Sequence, residues 1–202
     1  MVLTKTQSKI MQLFVSSITG LFSINGVADK LSMNVSLAHR AITPLIKVHK
    51  LLTLNKQNLI SLNYEENHGE LAYAECLRRK DFLEQPQNKT IAEFRKEVLE
   101  KLKDEYFIMI LFGSAVNKKN PGDYDLFFIF EDYEKVRKRE KAIDVIASNY
   151  NKEFDINIVA VESVFEMVSK RNQKNVINEL LNNHIILYGC ENFYRLLKNA
   201  RQ

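Results

Sequence analysis

The chain has 202 residues, a formal net charge of +4, 46% hydrophobic and 27% charged residues. That is an ordinary globular composition, enough for one large domain or two small ones, and it contains no repeat or low-complexity segment. No apolar run approaches the ~20 residues of a membrane span, and the polar, basic N-terminus lacks the apolar core of a signal peptide.

In residues 1–63, apolar side chains at Ile10, Met11, Phe14, Val15 and Ile18 have helical spacing, which predicts a helix over Ser8–Ile18. A short second helix follows, with Asn25 as its expected N-cap. After the break at Ser32–Asn34 a third helix is expected from Val35 to about Lys47. Val35, Ala38, Ile42 and Leu45 are expected to face the core, and Pro44 to distort the helix. Leu51–Leu54 and Leu59–Leu62 alternate around Asn55–Asn58 and predict a hairpin. This order of three helices and a hairpin resembles the winged helix-turn-helix domain of many prokaryotic regulators. The resemblance implies contact with duplex DNA. Asn34, Ser36, His39, Arg40, Thr43 and Lys47 would face a major groove, and Lys56 and Gln57 would form a wing tip near phosphate. Residues 1–63 hold seven Lys/Arg against one acid, a formal +6, which leaves −2 for residues 64–202. That asymmetry suits phosphate binding by the first module. The alternative for this module is dimerisation of the chain as a homodimer, or packing on the rest of the protein.

Tyr64–Gly69 is polar and contains Gly, so the boundary between modules is placed there, with residues 64–85 as a connecting helix and linker. Glu70–Phe82 reads as helical and Pro86 breaks it. Thr90 is the expected N-cap of a helix with an apolar stripe at Ile91, Phe94, Val98 and Leu102. A charged helix is expected over Asp132–Tyr150, burying Val136, Ile143 and Ile146. Further helices are expected near Ser163–Arg171 and Lys174–Asn182.

Two apolar runs, Phe107–Phe112 and Leu126–Phe130, read as strands. Gly113 and Ser114 close the first, and Asp123 and Asp125 open the second. Side chains alternate along a strand, so both carboxylates point to one face. Side by side they repel each other, and a divalent cation would relieve the repulsion. A third acid, Asp155, begins the apolar stretch Ile156–Val161. Gly-Ser, a loop, Asp-x-Asp and a later carboxylate resemble the DNA polymerase beta-like nucleotidyltransferase superfamily, in its small prokaryotic form. The tail His184–Leu197 resembles the closing strand and helix of these proteins, so the likeness covers residues 90–200.

The resemblance implies an α/β (α+β) chain whose residues 86–202 form a small mixed sheet flanked by helices. It also implies transfer of a nucleoside monophosphate from a nucleoside triphosphate to an acceptor hydroxyl. Asp123, Asp125 and Asp155 would be the catalytic acids and hold Mg²⁺ (or Mn²⁺). Gly113 and Ser114 would bind the phosphates. The segment Ala115–Lys119 departs from relatives that carry an Arg and a Gly there. An alternative expectation is a DNA-binding regulator, or antitoxin-like protein, that uses the same fold to sense a nucleotide. Cys76 and Cys190 lie in unlike sequence contexts and read as two reduced thiols of a cytoplasmic protein. The four histidines show no ligand spacing, so zinc is not expected.

Overall fold

The structure is a computed structural model that describes residues 3–169 and 176–200. It is a mixed helix-and-sheet protein with a small mixed sheet flanked by helices. Helix α1 (Lys5–Ser16) starts earlier than its apolar periodicity suggests, because Thr4 and Gln7 form a reciprocal capping box. Helix α2 (Ile24–Lys30) is capped by Ser23, whose side chain accepts from the Gly26 amide; the expected cap, Asn25, lies inside the helix. Helix α3 (Val35–Lys47) begins at Asn34 and contains Pro44 without ending there. Its core residues are Ala38, Ile42 and Leu45. Val35, expected to be buried, is 44% exposed: it is the first residue of α3, directly after the cap Asn34, and lines a surface groove with Ile24 and Asn25 of α2. Strands β1 (Leu52–Leu54) and β2 (Ile60–Leu62) pair antiparallel across the expected turn.

Helix α4 (His68–Leu83) follows a short loop and ends before the 3₁₀ turn Pro86–Asn88. Helix α5 (Lys89–Lys101) buries the expected stripe, but its cap position is Asn88 and Thr90 lies within the helix. Strands β3 (Phe107–Phe112), β4 (Asp123–Phe130), β5 (Glu153–Ala160) and β6 (His184–Tyr188) form one sheet in the order β5-β4-β3-β6. The β4–β5 pair is parallel and the others are antiparallel. Helix α6 (Tyr133–Ala147) crosses over between β4 and β5, and buries Ile143 and Ile146 with Val136 half-buried. Helices α7 (Val161–Ser169) and α8 (Val176–Leu180) precede β6, and α9 (Cys190–Asn199) follows it. The expected ends of the two helices near Arg171 and Lys174 lie outside the described residues.

Both faces of the sheet are covered, which is why β3 and β4 read as nearly continuous apolar runs. Phe107, Met109, Leu111, Leu126 and Phe128 pack on α5 and α6. Ile108, Ile110, Phe112, Phe127 and Ile129 join one apolar cluster with Ile10, Phe14, Leu71 and Phe193. One apolar cluster takes residues from both sides of 64–69, and Leu71 and Ala74 of α4 belong to it.

The free edge of β6 is closed by side chains. Arg78 donates to the His184 carbonyl, Arg79 to those of Ile186 and Leu187 (3.3 and 3.2 Å), and Arg95 to that of Leu187 (2.8 Å). These guanidinium groups satisfy edge carbonyls that would otherwise be a template for strand pairing. Beneath them Glu75, fully buried, pairs with Arg78 at 3.1 Å and lies 3.2 Å from Nε2 of the fully buried His184.

Candidate functional site

Register places the acids. On β4, Tyr124 faces α5 and stacks on Phe154 of β5 with ring centroids 5.3 Å apart; Phe154 in turn stacks on Phe94 at 4.4 Å. That aromatic layer sets the alternation of both strands, and Asp123, Asp125 and Asp155 are left on the opposite face. Asp125 is the direct partner of Asp155 across the parallel pair, and Asp123 is the partner of Glu153. Asp123 and Asp125 are half-buried, and Asp155, on the edge strand, is exposed. The pKa of Asp125 is raised, first by burial and then by the charges of Asp123, Asp155 and Glu179. Glu179 comes from α8 and was not singled out in the sequence, since one acid in a short, mostly apolar helix carries no signal of its own. The three aspartates are neighbours rather than a closed cage. Among the described residues no three His, Cys, Asp or Glu side chains are grouped tightly enough to hold a metal ion as they stand.

The turn after β3 is built against Asp125. Gly113 has φ +70°, and a Cβ there would lie 2.1 Å from Asp125 Oδ2. Only glycine permits both the left-handed backbone and that approach. The Ser114 amide donates to the Asp125 carboxylate, which moderates the rise in its pKa. Asn183, another residue without a sequence signal, donates from Nδ2 to the Gly113 carbonyl (2.8 Å) and accepts at Oδ1 from Asn117 Nδ2 (2.7 Å). Its neighbour Asn182 accepts at Oδ1 from the Thr19 amide (3.2 Å) and hydroxyl (2.9 Å), and the Leu181 carbonyl accepts from the Ile18 amide (2.9 Å). The segment Leu181–Asn183 therefore holds the end of the α1 region on one side and the Gly113 turn on the other. Lys118 and Lys119 are exposed beyond that turn. A concavity of about 450 Å³ between the end of α4 and α5, lined by Leu83, Pro86, Lys89 and Glu93 among others, shares no residue with the acidic site.

The residues expected to meet DNA lie on α3 and the hairpin. Ser36, His39, Arg40 and Lys47 are exposed, and Lys56 and Gln57 form the exposed tip between β1 and β2. Ser36, Arg40, Thr43 and Lys47 follow one another at helical spacing along a single stripe. Two of the expected contacts are engaged inside the helix. Asn34 is the N-cap and accepts from the Ser36 amide (2.8 Å), and the Thr43 hydroxyl donates to the His39 carbonyl (2.8 Å). Val35, Ser36, His39 and Arg40 line a surface groove of about 410 Å³ with Ile24 and Asn25.

No protein-family model matches the chain, and no curated protein matches it. Among solved structures, the crystal structure of the Thermotoga maritima IclR is similar at 14% identity with a TM-score of 0.28. That likeness covers 55% of this chain and 40% of the other, and a score so low establishes no shared fold. No helix among the described residues is long and apolar enough to cross a membrane.

Proposed function

We propose that the protein is a nucleotidyltransferase joined to a DNA-binding winged helix-turn-helix module. The observation that carries the first half is the placement of Asp125 beside Asp155 and against Gly113. Asp125 is a half-buried carboxylate with two acidic neighbours on one face, its pKa raised first by burial and then by their charges, and carboxylate oxygens are the ligands a hard cation takes. Mg²⁺ or Mn²⁺ would be held by Asp123, Asp125 and Asp155, and when bound would neutralise phosphate charge and acidify the acceptor hydroxyl. The chain's own part is positioning. The Gly113–Ser114 turn fixes the Asp125 carboxylate through the Ser114 amide, and Asn183 fixes the turn. The acceptor hydroxyl oxygen attacks the α-phosphorus in line, the new O–P bond forms as the bond from the α-phosphorus to the bridging oxygen breaks, pyrophosphate leaves, and the hydroxyl proton passes to solvent. The DNA half rests on the exposed stripe of α3 and the +6 charge of residues 1–63. The decisive experiment is pyrophosphate release from nucleoside triphosphates with Mg²⁺ or Mn²⁺ across a panel of hydroxyl acceptors. Release by wild type and its loss in Asp125→Asn supports the proposal; no release from any triphosphate overturns the enzymatic half.

A second reading, a DNA-binding regulator that senses a nucleotide without turning it over, is favoured by the adjacent Asn182 and Asn183. These two residues tie the α1 region to the Gly113 turn. On this reading a triphosphate changes DNA affinity in wild type, and Asn182→Ala abolishes the change while leaving both ligands bound. Equal DNA affinity with and without triphosphate overturns it.

A further inference from the structure

The fold brings the chain's two cysteines together. Cys76 lies on α4 and Cys190 is the first residue of α9, 114 positions later. A single guanidinium spans the pair: Arg79 Nη2 lies 3.2 Å from the Cys76 sulfur and Nη1 lies 3.4 Å from the Cys190 sulfur. Arg79 is held in place by its bonds to the Ile186 and Leu187 carbonyls, and Arg95 stands behind it on the same edge of β6. The shared guanidinium sets the two sulfurs side by side, and the Cys190 sulfur is also 3.7 Å from the Ile186 carbonyl. Cys190 is buried and Cys76 half-buried. Both line a surface depression of about 340 Å³ with Arg79, Tyr188, Gly189 and Asn192, so a small solute reaches Cys76 first.

We propose that Cys76 and Cys190 form a thiol–disulfide site, in which Cys76 is the attacking thiolate and Cys190 the resolving thiol, and that its oxidant is a small hydroperoxide. The Cys76 thiolate attacks the distal peroxide oxygen, the O–O bond breaks, and the leaving oxygen departs as water or an alcohol after taking a proton. Cys76 becomes a sulfenic acid. The Cys190 sulfur then attacks the Cys76 sulfur, the S–O bond breaks, and a second water leaves with the Cys190 proton. Two thiols are oxidised to one disulfide by one peroxide, and the product staples α4 to α9.

The local charges divide the two roles. The Cys76 thiol is held well below its ordinary pKa by the hydrogen bond from Cys190 and the Arg79 guanidinium, against burial and the carboxylate of Glu75. The Cys190 thiol is pushed up by that same contact and by burial. A low-pKa, accessible thiol beside a buried partner is the arrangement in which oxidation is site-selective.

The test treats the reduced 202-residue chain with stoichiometric hydrogen peroxide and maps the cysteines by peptide mass spectrometry. Wild type is expected to give an intramolecular Cys76–Cys190 disulfide that dithiothreitol reverses. Cys190→Ala is expected to accumulate Cys76 sulfenic acid, trapped by dimedone, and Cys76→Ala to leave Cys190 reduced. Iodoacetamide at pH 7 is expected to alkylate native Cys76 on the order of tenfold faster than the same residue in urea, as a thiol that is mostly thiolate reacts. Equal alkylation rates in the native and unfolded chain, or oxidation that yields only intermolecular dimers or a Cys76 sulfinic acid, would overturn the proposal.

Discussion

Gly113 and Asp125 touch: the glycine's missing Cβ is the space that the Asp125 carboxylate occupies, with 2.1 Å between the atom that would be added and Oδ2. The turn that closes β3 and the acid that opens β4 are thus one unit. Gly113→Ala is expected to destabilise the protein by roughly 2 kcal/mol or more, from the left-handed backbone together with the clash. Truncation of the acid should relieve part of this, so the double variant Gly113→Ala/Asp125→Ala should lose less stability than the two single changes added together. Additive urea-unfolding energies would separate the two residues energetically.

Asp125→Asn keeps the size of the side chain and removes a charge from beside Asp123 and Asp155. The folded-state pKa of Asp125 is raised above the carboxyl value of 3.8, so wild type loses stability as pH rises through that folded value. The variant carries no such loss. Its melting temperature without metal is therefore expected to equal or exceed that of wild type at neutral pH, the difference vanishing below about pH 3.8. If the nucleotidyl-transfer proposal holds, its turnover should fall by at least ~100-fold, the scale of losing several kcal/mol of charge stabilisation. A variant that melts much lower at neutral pH would make Asp125 a structural cap.

The α3 stripe can be tested by gel shift and by the salt dependence of binding. The 202-residue chain is expected to bind duplex DNA strongly at low salt and to weaken steeply as salt rises. Arg40→Ala should cost ~1–3 kcal/mol for preferred sites if Arg40 reads a guanine, whereas Lys56→Ala should weaken all sequences about equally. Asn34→Ala should lower folding stability by ~1 kcal/mol, because Asn34 caps α3. Protein that runs free of DNA at low salt would make residues 1–63 a packing or dimerising module.

Buried His184 should govern the onset of acid destabilisation. Burial holds its pKa below 6.5, so its contribution is complete above 6.5 and is lost as pH falls through the folded value. Glu75 is held below 4.5 despite its burial, chiefly by Arg78 and His184, and its contribution is lost in a lower window, beneath 4.5. Urea midpoints measured from pH 8 down to pH 5 should therefore fall in wild type. In His184→Asn they should start lower and change less over that range. Parallel curves would assign the acid sensitivity elsewhere.

Local patterns in the sequence determined the elements and their order. The α5 stripe, the hairpin and the two apolar strands with Asp123 and Asp125 on one face follow from periods of 3.6 and 2, which neighbouring residues specify among themselves, whereas the closing strand and helix were expected from the family resemblance. The errors were local too. Ser23 rather than Asn25 caps α2, and the capping box at Thr4 and Gln7 extends α1, because a cap is chosen by the path of the entering chain. What only the tertiary structure decided concerns residues far apart in the chain. Parallel pairing of β4 with β5 sets Asp155 beside Asp125, and the aromatic layer of Tyr124, Phe154 and Phe94 selects the face. Asn183 on Gly113, Glu179 near Asp125, the arginines along β6 and the meeting of Cys76 with Cys190 have no period and no motif. They exist because burying both faces of one sheet brings α4 and α9 to its β6 edge and α8 to its Gly113 end, and no stretch of sequence records those distances.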